Sequence, residues 1–252
     1  MRSKLIVLGG ATLAVVAVAA VARADIVMQF SAVAGPAKAG KPTGLTVKQE
    51  TSLTADDPGY QGVPGQPPPQ SALIVRLQKG AAFNNRYFPR CKLVNLLKKG
   101  VTGCSTRTKI GTGSSIASAK PIVDQVNAKL TIFNGEKKGG SETVYVFVLP
   151  DLGPTFVVTG TIKKVNTGPY GWELTFVIPP IKTLPSAPDA AILSLQAKAA
   201  KKTVTKKKGK KKRKYGLIVA PKKCTGKWAF EGEFRFVNGV SKKFSGTQKC
   251  TR

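Results

Sequence analysis

Between Trp228 and Val237, large apolar positions recur at every second residue, with Gly232 the one small member of the series. Trp228, Phe230, Gly232, Phe234 and Phe236 fall on one side, and Ala229, Glu231, Glu233, Arg235 and Val237 on the other. A period of two predicts a strand with one face on a core and one in water. Asn238-Gly239 follows, a strong hairpin signal, and Val240 to Lys249 is the expected returning strand. Upstream, Val126, Ala128, Leu130 and Ile132 alternate and end at Asn134-Gly135, which reads as a second hairpin turn. Thr143 to Leu149 is apolar on both faces, as a central strand would be. Thr155 to Lys163 and Gly171 to Ile178 flank the turn cluster Asn166 to Pro169. Ile26 to Val33, Leu45 to Leu53, Ala72 to Leu77 and Ala190 to Gln196 complete the strand pattern. One short helix is expected near 92–98.

Two stretches break the pattern. Thr54 to Gln70 holds five prolines and three glycines and reads as a mobile loop within a domain. Lys201 to Lys214 has ten basic residues in fourteen. Thr203-Val204-Thr205 before this run and Leu217-Ile218-Val219 after it make it the solvated tip of a β-hairpin rather than a tail. The fold class is therefore all-β: an antiparallel β-sandwich, Ig-like or jelly-roll-like, of roughly ten to twelve strands in one domain spanning 25–252.

The first residues change the setting. Arg2 and Lys4 precede an apolar run from Leu5 to Val21, and Ala22-Arg23-Ala24 is a small-x-small site. Residues 1–24 read as a secretory signal peptide, cleaved before Asp25. The run falls short of the ~18 or more residues of a membrane-spanning helix. No second such run follows, so the mature chain is expected to lack a transmembrane segment. Of 41 basic residues, removal of Arg2, Lys4 and Arg23 leaves 38 against 12 acidic ones, a net +26. Such a balance draws anionic partners. For an exported chain these are cell-wall or membrane-surface polymers. Lys206, Lys207, Lys208, Lys210, Lys211, Lys212, Arg213 and Lys214 are the candidate contacts. Tyr215 is the sole aromatic beside them, so the interleaved rings of specific nucleic-acid reading are missing.

Four cysteines, Cys91, Cys104, Cys224 and Cys250, all lie in the exported part. An even count there predicts two disulfides. Of three connectivities, Cys91–Cys104 with Cys224–Cys250 is expected, because each pair brackets one local unit.

Several short stretches together resemble a group of uncharacterised secreted proteins of actinobacteria, Cys-containing β-rich chains with no assigned activity. They are Gly35 to Gly40, Lys79 to Asn84, Phe88 to Lys92, Ile110 to Gly113 after Cys104, Phe133 to Gly135, Tyr170-Gly171 and the Cys224 to Cys250 hairpin. Where such proteins often have proline after the second cysteine, this chain has Ser105. The resemblance implies export and an all-β fold. It brings no catalytic or binding residues.

The chain contains no histidine. That removes Ser-His-Asp and Cys-His nucleophile activation and the common zinc-hydrolase ligand sets. Bridged cysteines would remove thiol chemistry as well. No cofactor or metal is expected. Glu231 and Glu233 share a strand face and could form the carboxylate pair of a carbohydrate-active enzyme, against the plainer reading of a solvated face. Asp56-Asp57 suits a turn better than a calcium site. Ile110 to Gly113 lacks the ending of a phosphate loop and reads as closely packed backbone. The expectation is a non-enzymatic envelope or extracellular protein that contacts anionic polymers. The alternatives are a carboxylate glycosidase and a binder of small ligands in the sandwich interior.

Overall fold

The computed structural model of the protein describes residues 26–252 except 56, 184–186 and 209–210. The expected signal peptide, 1–24, and Asp56 lie outside the described residues. The strands are β1 (Ile26–Gly35), β2 (Pro42–Leu53), β3 (Gln70–Gln78), β4 (Ala82–Phe83), β5 (Lys109–Ala119), β6 (Val123–Asn134), β7 (Glu142–Pro150) and β8 (Phe156–Thr167). They continue as β9 (Tyr170–Val177), β10 (Ala191–Ala199), β11 (Thr203–Lys208), β12 (Lys211–Gly216), β13 (Ile218–Val219), β14 (Lys227–Phe236) and β15 (Ser241–Lys249). One α-helix, α1 (Leu93–Lys99), lies where expected.

The fold is all-β, and its strand ladders are antiparallel. Thirteen strands join in one sheet, in the order β15-β14-β3-β9-β8-β7-β6-β5-β10-β2-β13-β4, with β1 on the other edge of β2. The run β5 to β9 is a plain meander, each strand pairing the next. The sheet curls, so inward side chains of distant strands share one core: Leu45, Leu73, Ile132, Val144, Ile162 and Leu174. The faces oppose each other as the layers of the expected sandwich would, within one continuous sheet that no ladder closes.

The two ends of the sheet meet through side chains. Phe30 of β1 packs on Phe234 of β14, with ring centres 5.3 Å apart. The Gln248 side chain accepts from Ala34 N at 2.7 Å and donates to Ala34 O at 2.6 Å, doing for β1 what a neighbouring backbone would. Thr251 adds backbone bonds of 2.9 Å with Ala37 and Ala39.

Both disulfides form as the spacing suggested. Cys91–Cys104 and Cys224–Cys250 have Cα separations of 5.4 and 5.8 Å. The first pins α1 over a small second core of Leu96, Phe133, Tyr145 and Phe147. The second closes the open end of the β14–β15 hairpin.

Three readings change. Asn134-Gly135 is not the tip of the β6–β7 connection. The turn lies further on, at Lys138–Ser141 with Gly139 and Gly140 at positive φ. Asn134 is instead fully buried, because its amide is consumed by three backbone carbonyls. The 54–70 segment is anchored rather than loose at its end. Gln66 is buried, and its amide donates to Asp189 O at 3.2 Å while Ser118 donates to its oxygen. Glu231 and Glu233 do not lie on a solvated face. Asp57 does make a turn, accepting from Gly59 N at 2.8 Å. Gly111 and Gly113 are close-packed: a Cβ on either would meet a β10 carbonyl oxygen at 2.3 Å. Among the described residues, no helix is long and apolar enough to cross a membrane.

Candidate functional site

The inward face of the curled sheet is not filled. It encloses a cavity of about 480 Å³. Aliphatic side chains of nine strands line it, among them Val47, Val75, Leu130, Val146, Val158 and Leu195. The strand period of two puts them there, and the alanines on the same faces leave the room. Ala117, Ala128 and Ala197 all belong to the wall, at strand positions where Leu or Ile would have taken up space. The volume falls in the range of small-molecule sites, roughly 300–1,000 Å³.

The two ends differ. At one, the β5–β6, β7–β8 and β9–β10 connections bring Ile122, Leu152, Pro154 and Ile181 to the wall. Ile122 is 49% exposed and Leu152 59%. At the other end lie Phe83, Asn85, Leu217 and Ile218. Asn85 and Leu217 are each 1% exposed. The first end is the mouth and the second the floor. At the mouth, Lys182 meets Asp189 at 3.0 Å, so the charged side chain there is already paired. The anchored Gln66 and the Lys120 ammonium, which donates to Pro64 O at 3.2 Å, hold the proline-rich segment beside this end.

The predicted basic hairpin exists as a separate two-stranded sheet, β11 on β12. Strand β10 runs from Ala191, opposite Ser118 at the mouth, to Ala199, opposite Gly111 near the floor. The hairpin that follows it therefore leaves from the floor end. Its register sets Lys206 opposite Arg213, Lys207 opposite Lys212 and Lys208 opposite Lys211. Like charges directly opposite destabilise a strand pair. The described lysines of the run, Lys206, Lys207, Lys211, Lys212 and Lys214, and Arg213 are exposed. Lys210 lies outside the described residues. At the hairpin base, Tyr215 stacks on Tyr87 with centres 3.9 Å apart, and the Arg86 guanidinium lies 4.8 Å over Tyr87. Lys202 donates to Lys109 O; burial, and then the nearby Lys109 charge, push its pKa down.

The third candidate, Glu231 and Glu233, is an ion-pair row. Register places Glu231 of β14, Arg76 of β3 and Glu173 of β9 side by side. Arg76 bonds Glu231 through Nη1, Glu233 at 2.9 Å and Glu173 at 2.9 Å. Arg235 adds a contact of 2.8 Å to Glu233, which is 4% exposed. Burial opposes ionisation of Glu233, but the hydrogen bonds of Arg235 and then Arg76 outweigh it and hold its pKa below the ordinary value. A proton-donating carboxyl needs the opposite shift. Among the described residues, no group of three or more Asp, Glu, Cys or His side chains could hold a metal.

Sequence reasoning named the basic hairpin and the Glu pair, and held an interior ligand site only as an alternative without naming its lining; it missed Asn85 and Tyr87. Small residues at inward-facing strand positions were the available signal for the cavity. Asn85 and Tyr87 come from a one-turn 3₁₀ helix with no periodicity to reveal it. Compared with known protein families, with curated proteins and with solved structures, the chain matches none.

Proposed function

We propose that this chain is an exported, non-enzymatic binding protein that holds a small apolar molecule inside its curled sheet. One observation carries the reading: an apolar cavity of about 480 Å³ with a mouth between three connections. A packed core would leave no such space, since protein interiors are filled to crystal-like density. The two disulfides fit an oxidising compartment, which supports export.

The test is binding of a neutral fluorescent naphthylamine to the extracted, ligand-free protein. Saturable binding with a blue-shifted emission is expected. Val146→Trp, which fills the middle of the cavity, should abolish it while the protein still unfolds cooperatively. Equal binding by Val146→Trp, or none by the wild type, would sink the proposal.

A second reading concerns the hairpin and rests on its register. Like charges face each other across it, so the pair gains most when an outside anion lies along it. Residues two apart on a strand are about 6.7 Å apart, which gives each face a regular row of cations. The partner supported by this is a linear anionic polymer of the cell wall. Because the hairpin leaves from the floor end, such contact would keep the mouth free. Retention on purified anionic wall polymer should fall steeply with salt and vanish when Lys206 to Lys208 and Lys210 to Lys214 become Ser. Retention that survives both changes overturns this reading.

A further inference from the structure

The cavity wall is hydrocarbon almost throughout, so a polar atom in it calls for a partner. Asn85 stands in that wall at the floor, 1% exposed. Its Nδ2 donates to Asn134 Oδ1 at 2.8 Å. Asn134 cannot be turned the other way. Its own Nδ2 donates to the carbonyls of Asn85, Phe88 and Pro89 at 3.1, 3.3 and 3.0 Å, three acceptors that an oxygen could not face. Asn134 must therefore show its oxygen to Asn85, and Asn85 must answer with its NH₂. This leaves Asn85 Oδ1 fixed as an acceptor, buried and with no hydrogen-bond partner in the protein. Native proteins seldom leave such a group unmet. Gln49, Gln70 and Asp189 also keep a buried oxygen without a hydrogen bond, that of Asp189 resting 3.0 Å from the Lys182 ammonium, but none of the three belongs to the cavity wall.

We infer that the ligand brings a hydrogen-bond donor to Asn85 Oδ1: the cavity takes an uncharged apolar molecule with a hydroxyl group, inserted hydroxyl first. The inference rests on the reading of the cavity as a binding site. The chemistry selects among donors. A carboxylate would set acceptor against acceptor. An ammonium would find no carboxylate in the cavity wall, and an unpaired buried charge is strongly disfavoured. The Lys182 ammonium stands at the mouth and is paired with Asp189, so it offers nothing at this depth. A hydroxyl supplies one donor, carries no charge and leaves the rest of the molecule to the aliphatic wall.

The experiment displaces the naphthylamine probe from the full chain with decanol, decyl methyl ether and decane. Wild-type protein should bind decanol about tenfold more tightly than the ether, the gain of one buried hydrogen bond. Without an acceptor in the wall the order reverses, because the hydroxyl would leave water for nothing. Asn85→Leu, of similar shape, should bring decanol down to or below the ether while decane affinity is kept. If that variant does not fold, the wild-type ratio decides alone. Equal or weaker binding of decanol by the wild type overturns the inference and leaves the cavity reading standing, as does a tenfold ratio that persists in Asn85→Leu. Binding of none of the three compounds overturns both.

Discussion

The ring of Phe30 occupies the space a side chain at Gly232 would need: a Cβ there would lie 2.5 Å from the ring. Phe30 cannot swing away cheaply, since Phe230, Phe234 and Phe244 surround it at centre distances of 6.1, 5.3 and 6.5 Å. Gly232→Ala should therefore destabilise the protein by about 1–3 kcal/mol, as overpacking does. Adding Phe30→Leu should recover part of that loss. Urea unfolding of the two single variants and the double variant measures the coupling, and simple additivity would show the two sites to be independent.

Arg76 holds three carboxylates on a face where it is 14% exposed. Arg76→Met should cost about 2–4 kcal/mol, most of it from Glu231 and Glu173 losing their cation, since Glu233 keeps Arg235. Wild-type stability in chemical denaturation, with and without the substitution, gives the number.

The pH dependence follows from Glu233. Its folded pKa lies below the ordinary 4.5. Its contribution is thus complete above the ordinary value and is lost as pH falls through the folded one. Unfolding free energy should decline below about pH 4.5, with a shallower slope in Glu233→Gln. Identical slopes in the two proteins would remove Glu233 from the account.

The disulfides close loops of 13 and 26 residues. Chain entropy assigns them about 3 and 3.5 kcal/mol. Replacing Cys91 and Cys104 with Ser should free α1 first. Amide exchange should therefore rise at Leu96 and Phe133 well before it rises in β7 or β8.

Across the basic hairpin, Lys212→Glu converts one repulsive pair with Lys207 into an attractive one. The hairpin should gain about 0.5–1 kcal/mol, seen as slower amide exchange at Thr205 and Lys214. Polymer retention should drop in the same variant. A protein that gains hairpin order and keeps full retention would separate the hairpin from the polymer.

How far the sequence reaches can be judged residue by residue. Trp228 to Phe236 announced its strand, its buried face and its partner, because alternation and an Asn-Gly turn are local signals. The cysteine pairing followed from brackets that are local too. Asn134-Gly135 misled for the same reason: the dipeptide is a turn signal only while its amide is free, and three distant carbonyls claim it. Glu231 and Glu233 looked solvated because Arg76 lies far away in the chain, and register alone brings it beside them. The cavity is a sum over nine strands, which no window of sequence contains.

The contact of Gln248 with Ala34 has a mechanical consequence. Along β1 the attachment weakens in steps: two backbone bonds at Thr251, one side-chain amide at Ala34, and only packed rings at Phe30. The seam is fastened by backbone at the floor end and by side chains alone toward the mouth. Prising β1 from β14 and β15 at that end would part aromatic rings and break no ladder of the sheet.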